Sequence, residues 1–273
     1  MAYQNDFGYN FGRLYPNFFE EAIKMEDKIY INDDTKYVQK EFSRFAKDYQ
    51  HYNAIQKEIA KLLVEQIRED RVSTILDIGS GDGTLYQAIK DKNIDISHYY
   101  AMDFSTNMLQ LHPSNSNITK IESNFNDISW REQLPIDSID IVISSSALQW
   151  ANSFDSLLRD IVGIGGSIYL ALFTSNTFKT IHLLANTKSP ITSRDEIVKA
   201  ISNIDKKLHY KSKEYRVYFN SNQELFKYIK HSGISGGKNR LSYKEIKALI
   251  KSYPLNYLEF EVIFISDKEF LSI

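Results

Sequence analysis

Two carboxylates and three glycines carry the chemistry most legible in this sequence. In Ile75-Leu-Asp-Ile-Gly-Ser-Gly-Asp-Gly-Thr-Leu85, a β-rich apolar run delivers Asp77 into a turn with glycines at 79, 81 and 83. Glycine accepts positive φ and lets the backbone approach a ligand with no Cβ in the way. Helical character resumes at Thr84, so the free amide N–H groups of a helix N-terminus face the same space. The next β-rich run, His98-Tyr-Tyr-Ala-Met-Asp103, ends in a second acid. A carboxylate there can accept hydrogen bonds from both hydroxyls of a ribose.

Two ligand classes use such a turn. A dinucleotide calls for G-x-G-x-x-G, yet position 84 is Thr, and an anionic pyrophosphate would sit beside Asp82. S-adenosylmethionine carries no phosphate. Its methionine end offers an ammonium, a carboxylate and a sulfonium, which suit Asp77 and the backbone amides of the turn. The bland alternative is a tight strand–helix turn with surface acids. Asp77, the glycines and Asp103 in one register weigh against it.

These residues need a scaffold, and the hydrophobic pattern predicts one. β-rich runs at 72–78, 98–103, 118–123, 139–144 and 167–173 alternate with helical segments, including 84–90 and 105–111 with Ser105 as N-cap. Strands alternating with helices predict an α/β fold built on a doubly wound, mostly parallel sheet. Beyond Thr174 helices are expected near 192–202, 222–231 and 241–252, with strands at 215–219 and 257–265, the last closing the sheet edge. From Phe42 to Leu63 apolar residues recur at three- and four-residue steps, one face of one or two helices. Residues 1–40 are aromatic-rich and read as helices and loops packed on the main body.

Composition narrows the chemistry further. The 273 residues are 42% hydrophobic and 25% charged, with 5 Pro and 11 Gly, which is globular rather than disordered. With no cysteine there is no thiolate nucleophile, disulfide or Cys-ligated metal, and the six histidines never fall at ligand spacing, so no metal is expected. No basic and apolar leader opens the sequence and no apolar run reaches the ~18 residues of a membrane span, so a cytoplasmic location away from membranes is expected. The net charge of −2 hides an asymmetry. Residues 178–251 hold 16 Lys and Arg against 6 Asp and Glu, a net +10, while the remaining 17 basic and 29 acidic residues give −12. Such a split points to an acidic partner for the basic stretch, against the commoner reading of a solvated lysine surface.

The glycine turn with its two acids resembles the class I S-adenosylmethionine-dependent methyltransferases, a Rossmann-like seven-stranded fold whose last strand is antiparallel. That resemblance covers about residues 42–270. It implies cofactor contacts from Asp77, Gly79, Gly81, Asp103 and Ser144, with Phe104 on the adenine side. Asn124 and Phe125 stand where the family recognises the adenine amino group.

Three further segments resemble the malonyl-acyl-carrier-protein O-methyltransferases of biotin synthesis. They are Phe42-Ser-Arg-Phe-Ala-Lys-Asp-Tyr-Gln-His-Tyr-Asn-Ala-Ile-Gln56, Ser144-Ser-Ser-Ala-Leu-Gln-Trp150 and Phe219-Asn-Ser-Asn-Gln-Glu-Leu-Phe-Lys-Tyr-Ile-Lys-His-Ser-Gly233. The sequence departs from that family at Ser145, where Asn is usual, and at Gln50, where an acid is usual. Residues 1–40 extend beyond its usual start.

The resemblance implies methylation of the free carboxylate of malonyl-acyl-carrier protein, the first committed step of pimeloyl and biotin synthesis, with S-adenosylhomocysteine as product. Tyr49 and Gln56 belong to a helical lid over the cofactor on this reading, or to a purely structural amphipathic helix on the plainer one. Arg44, His51, Tyr52 and Trp150 are candidates to hold the substrate carboxylate, and Lys206, Lys207, Lys211 and Lys213 to dock the acidic carrier. The expected organisation is an extension at 1–40, a cofactor-binding core with lid helices at 41–177, a basic insertion or cap at 178–251 and a closing strand at 252–273. An ionised carboxylate nucleophile needs no general base, so none is sought. A methyltransferase of a free small acid such as trans-aconitate is the nearest alternative. An RNA methyltransferase gripping phosphates through the basic stretch is the other, although no N-P-P-Y-like motif follows the fourth strand and no nucleic-acid partner is expected.

Overall fold

The short apolar runs pair as a seven-stranded sheet. The computed structural model describes residues 53–134, 138–231, 242–271 and 273. Its strands are β1 (Arg71–Ile78), β2 (Asp95–Asp103), β3 (Ile118–Glu122), β4 (Ile141–Ser145), β5 (Ser167–Phe173), β6 (His209–Tyr218) and β7 (Tyr257–Ser266). They lie in the order β3-β2-β1-β4-β5-β7-β6. The four pairings from β3 to β5 are parallel, and β7 runs antiparallel to both β5 and β6. This is the doubly wound, mostly parallel architecture that the alternation of elements predicts.

Helices cover both faces. They are α1 (Ala54–Glu65), α2 (Thr84–Asp91), α3 (Thr106–Leu111), α4 (Phe154–Ile164), α5 (Lys179–Leu184), α6 (Arg194–Ser202), α7 (Asn222–His231) and α8 (Tyr243–Ser252). Ile55, Ile59 and Leu63, one turn apart on α1, pack with Leu85 and Ile89 of α2 and Leu225 of α7 on one face. Phe154, Leu158 and Ile161 of α4 join Ile197 and Ile201 of α6 on the other. Ser105 caps α3, its side chain accepting from the Met108 amide. Ser193 and Ser242 form capping boxes with Glu196 and Glu245, which fixes where α6 and α8 begin. Among the described residues no helix is long and apolar enough to cross a membrane.

Two elements differ from the sequence expectation. β6 begins at His209 rather than near Tyr215, and the sheet ends on β6 rather than on the final strand. The physical reason lies in the edge position. Tyr210, Ser212, Glu214, Arg216 and Tyr218 alternate along an exposed face, and Lys211 is exposed as well, so little apolar patterning marks the strand. Charged side chains on such an edge discourage pairing with another chain. Part of the basic stretch 178–251 is therefore sheet. The extension at 1–40, and the part before Asn53 of the helical stretch expected from Phe42, lie outside the described residues.

Candidate functional site

The sheet order puts β1 between β2 and β4, and the crevice beyond their carboxyl ends is where open α/β sheets bind ligands. A cleft opens there. The turn that forms its floor folds back over β2: the Gly79 and Ser80 amides both donate to the Met102 carbonyl, at 2.8 and 2.9 Å. Gly79 has φ +75°, and a Cβ on it would stand 2.2 Å from the Ala147 Cβ. This turn therefore packs directly on the segment leaving β4, and only glycine fits.

Asp77 is fully buried at the end of β1. The Tyr99 phenol, from β2, donates to its Oδ2 at 2.6 Å. Its Oδ1 has no hydrogen-bond partner among the described residues. Burial pushes the Asp77 carboxyl up to about 7; the Tyr99 hydrogen bond opposes that rise and the Asp103 charge adds to it. Asp103 accepts from the Gly81 amide at 2.9 Å and the Ser105 amide at 2.8 Å, so it ties the glycine turn to the start of α3. Burial raises it to about 6 against the pull of those backbone bonds. Asp82 takes up the Thr84 amide and hydroxyl at 3.2 and 2.7 Å at the start of α2.

Three carboxylates, Asp77, Asp82 and Asp103, line this cleft, and none of its described lining residues is Lys, Arg or His. Such a cleft favours a cation and repels a phosphate. The orphaned Asp77 Oδ1 is an acceptor waiting for a donor, which fits an ammonium. Phe104 and Phe125 add apolar walls suited to a flat ring.

Of the residues singled out in the sequence, Gln56, Asp77, Gly79, Gly81, Asp103, Phe104, Phe125 and Trp150 come together around this one cleft. Two do not. Ser144 is fully buried and spends its hydroxyl on the Ile78 carbonyl at 2.6 Å, welding β4 to β1. Asn124 turns its Oδ1 to the Asn126 amide at 3.0 Å in a local turn, and Phe125 takes the place on the wall. Arg44, Tyr49, His51 and Tyr52 lie outside the described residues.

Sequence reading missed Ser145, Ser146 and Ala147 as part of the wall. Their signal was the run of small residues after β4, which lets the glycine turn approach. The basic candidates are spread along the outer edge. Lys206 bonds the Gly166 carbonyl at 2.8 Å and pairs with Asp267 at 2.9 Å, at the end of the sheet opposite the cleft. Lys207 precedes β6 at that same end, and Lys211 sits midway, over the Phe270 ring. Lys213 pairs in register with Val262, opposite Phe173 at the carboxyl end of β5, so among these four it stands nearest the cleft end.

Comparison with known proteins agrees with this geometry. Residues 76–164 match a methyltransferase domain family. A malonyl-[acyl-carrier protein] O-methyltransferase of Bacillus cereus is 29% identical over 153 residues, covering 53% of this chain and 55% of the relative. One from Chlorobium phaeovibrioides is 25% identical over 231 residues, covering 81% of this chain and 88% of the relative. The chain spans about half the length of the first curated relatives it matches. Among solved structures, the phosphoethanolamine N-methyltransferase 2 of Haemonchus contortus, held with phosphomonomethylethanolamine and S-adenosylhomocysteine, superposes with a TM-score of 0.55. It is 12% identical, covering 86% of this chain and 60% of that one, and so speaks to the fold alone.

Proposed function

We propose that this chain, whose core is a class I S-adenosylmethionine-dependent methyltransferase domain, methylates the free carboxylate of a malonyl group carried on an acyl carrier protein. The observation that carries the cofactor half of this reading is the cleft with three carboxylates and an orphaned Asp77 oxygen. S-adenosylmethionine supplies an electrophilic methyl group when bound. Asp77 would hold its ammonium, Asp103 its ribose hydroxyls, and Phe104 and Phe125 would flank the adenine, with Gln56 of α1 closing over them.

The acceptor half rests on the relatives and on the motifs they share. A carboxylic acid with a pKa near ~4 is ionised at neutral pH, so the acceptor oxygen arrives with its lone pairs free and no general base is required. The task left to the protein is alignment in a space closed to water. The basic stretch supports an acidic carrier as partner through electrostatic steering. The strand register favours its cleft end, at Lys213 and at Lys179 just past β5, over Lys206 and Lys207.

Mass spectrometry of malonyl-acyl-carrier protein after incubation with the protein and S-adenosylmethionine is the test. One added methyl group on the malonyl moiety is expected. An unmodified carrier beside methylated free trans-aconitate would overturn the carrier-bound reading.

A further inference from the structure

The β4 side of the cleft carries a different kind of group. Ser145 ends β4, Ser146 follows it, and Trp150 closes the 3-10 turn Leu148–Trp150. All three line the cleft. The Ser145 Oγ, Ser146 Oγ and Trp150 Nε1 are each buried and make no hydrogen bond among the described residues. An indole N–H can only donate, so whatever satisfies Trp150 must be an acceptor. Burying a donor without a partner is unfavourable, which argues that these three await a ligand.

The backbone holds these donors in place. Ser146 sits in the left-handed region at φ +61°, a strained conformation for a residue with a Cβ. Its amide donates to the Ala171 carbonyl at 2.8 Å, and its carbonyl accepts from the Gln149 side chain at 2.6 Å. The Trp150 carbonyl accepts from the Asn126 side-chain amide at 3.2 Å, and the Asn126 Oδ1 in turn accepts from the Asn152 amide at 2.7 Å.

We infer that Ser145, Ser146 and Trp150 form a charge-neutral cradle for the substrate carboxylate, an inference that rests on the carboxyl-methylation reading above. The topology supplies the reason. Asp77 and Asp103 stand on β1 and β2, and the cradle on β4, across β1 from Asp103. An anionic substrate is repelled from the β2 side, where Asp103 stands, and meets neutral donors on the β4 side. Hydroxyl and indole donors hold a carboxylate without giving it a proton or a counter-charge, so its oxygen stays nucleophilic. A guanidinium in the same place would bind more tightly and blunt it.

The test is calorimetry on the full chain saturated with S-adenosylhomocysteine, titrated with malonyl-acyl-carrier protein and with its methyl ester. The wild type is expected to prefer the acid by about tenfold or more. Ser145→Ala, Ser146→Gly and Trp150→Phe should each cut that preference several-fold and leave affinity for S-adenosylhomocysteine within about twofold. Ser146→Gly is the cleanest variant, because glycine relaxes at φ +61° while the hydroxyl is lost. Variants with the full preference for the acid overturn the cradle and leave methylation of the wild type's substrate standing. Variants that lose S-adenosylhomocysteine in parallel assign the donors to the cofactor, which overturns it as well. A wild type that neither methylates the carrier nor prefers the acid fails at the functional reading itself.

Discussion

Replacing Tyr99 with Phe removes one oxygen and tests whether Asp77 works as a charge. The phenol donates to Asp77 Oδ2 at 2.6 Å in a fully buried pair, leaving Oδ1 for the ligand. With its carboxyl pushed up to about 7, Asp77 is about half ionised at pH 7 in the empty cleft. A hydrogen bond to a charged group contributes about 1.5–3 kcal/mol, and about 1.4 kcal/mol is a tenfold change in an ionisation equilibrium. Losing the phenol should therefore drop the ionised fraction at pH 7 to between about one in ten and one in a hundred. If the ligand's ammonium needs ionised Asp77, affinity for S-adenosylhomocysteine falls by about 5- to 50-fold at pH 7. At pH 8.5 the variant regains an ionised fraction of about a quarter or more, and the deficit shrinks to fourfold or less. Calorimetric titration of wild type and variant at matched pH values between 6 and 8.5 cancels the ligand's own ionisation. A deficit that stays constant with pH would mean that Tyr99 merely packs the core, and no deficit at all would refute the charge argument.

Two other outcomes follow from the same geometry. Asp77 and Asp103 both have their carboxyls raised in the folded state, so their contribution to stability is full below about pH 4 and is lost as pH rises through 6 to 7. Burying Asp77 alone accounts for on the order of 4 kcal/mol of that loss, so urea midpoints of the ligand-free protein should fall less between pH 5 and 8 in Asp77→Asn than in wild type; parallel curves would contradict this. At the protein's edge, Lys179→Glu with Lys213→Glu should lower kcat/KM for the carrier-bound substrate by about three- to tenfold at low salt, and less at high salt. Reversal of Lys206 and Lys207 should leave kcat/KM nearly unchanged and cost stability through the lost Asp267 pair; equal kinetic effects would defeat the docking direction.

The site was legible where backbone constraints write themselves into residue types. Glycines at 79, 81 and 83 mark a turn that a Cβ would block at Ala147 and at Pro113, and acids at two strand ends put carboxyl groups on the wall of the cleft. Ser105 announced the start of α3 because an N-cap needs a short side chain with an acceptor oxygen. What stayed hidden depends on which way a side chain turns. Ser144 and Ser145 are adjacent and identical in type, yet alternation along β4 sends the first into a bond with Ile78 and the second to the cleft wall. Asn124 satisfies its own turn and Phe125 reaches the wall, a choice made by local hydrogen bonding that no spacing rule encodes. β6 was read short because an edge strand buries little, so tertiary pairing with β7, not apolar patterning, sets its length.

The glycine turn itself is indifferent to charge. Its free amides and the N-terminus of α2 would welcome a phosphate, and similar turns elsewhere do hold pyrophosphate. Side chains decide the sign here. Asp82 already occupies the Thr84 amide at the start of α2, which takes one anion-binding donor out of use and puts a carboxylate in its place. Asp103 does the same to the Gly81 amide. With two donors of the turn claimed by acids and a third acid, Asp77, buried beneath them, a phosphate would meet three acidic side chains and few free amides. A ligand bearing cationic groups and ribose hydroxyls meets the complementary arrangement, and that reversal of sign, more than the glycine spacing, separates this cleft from a dinucleotide site.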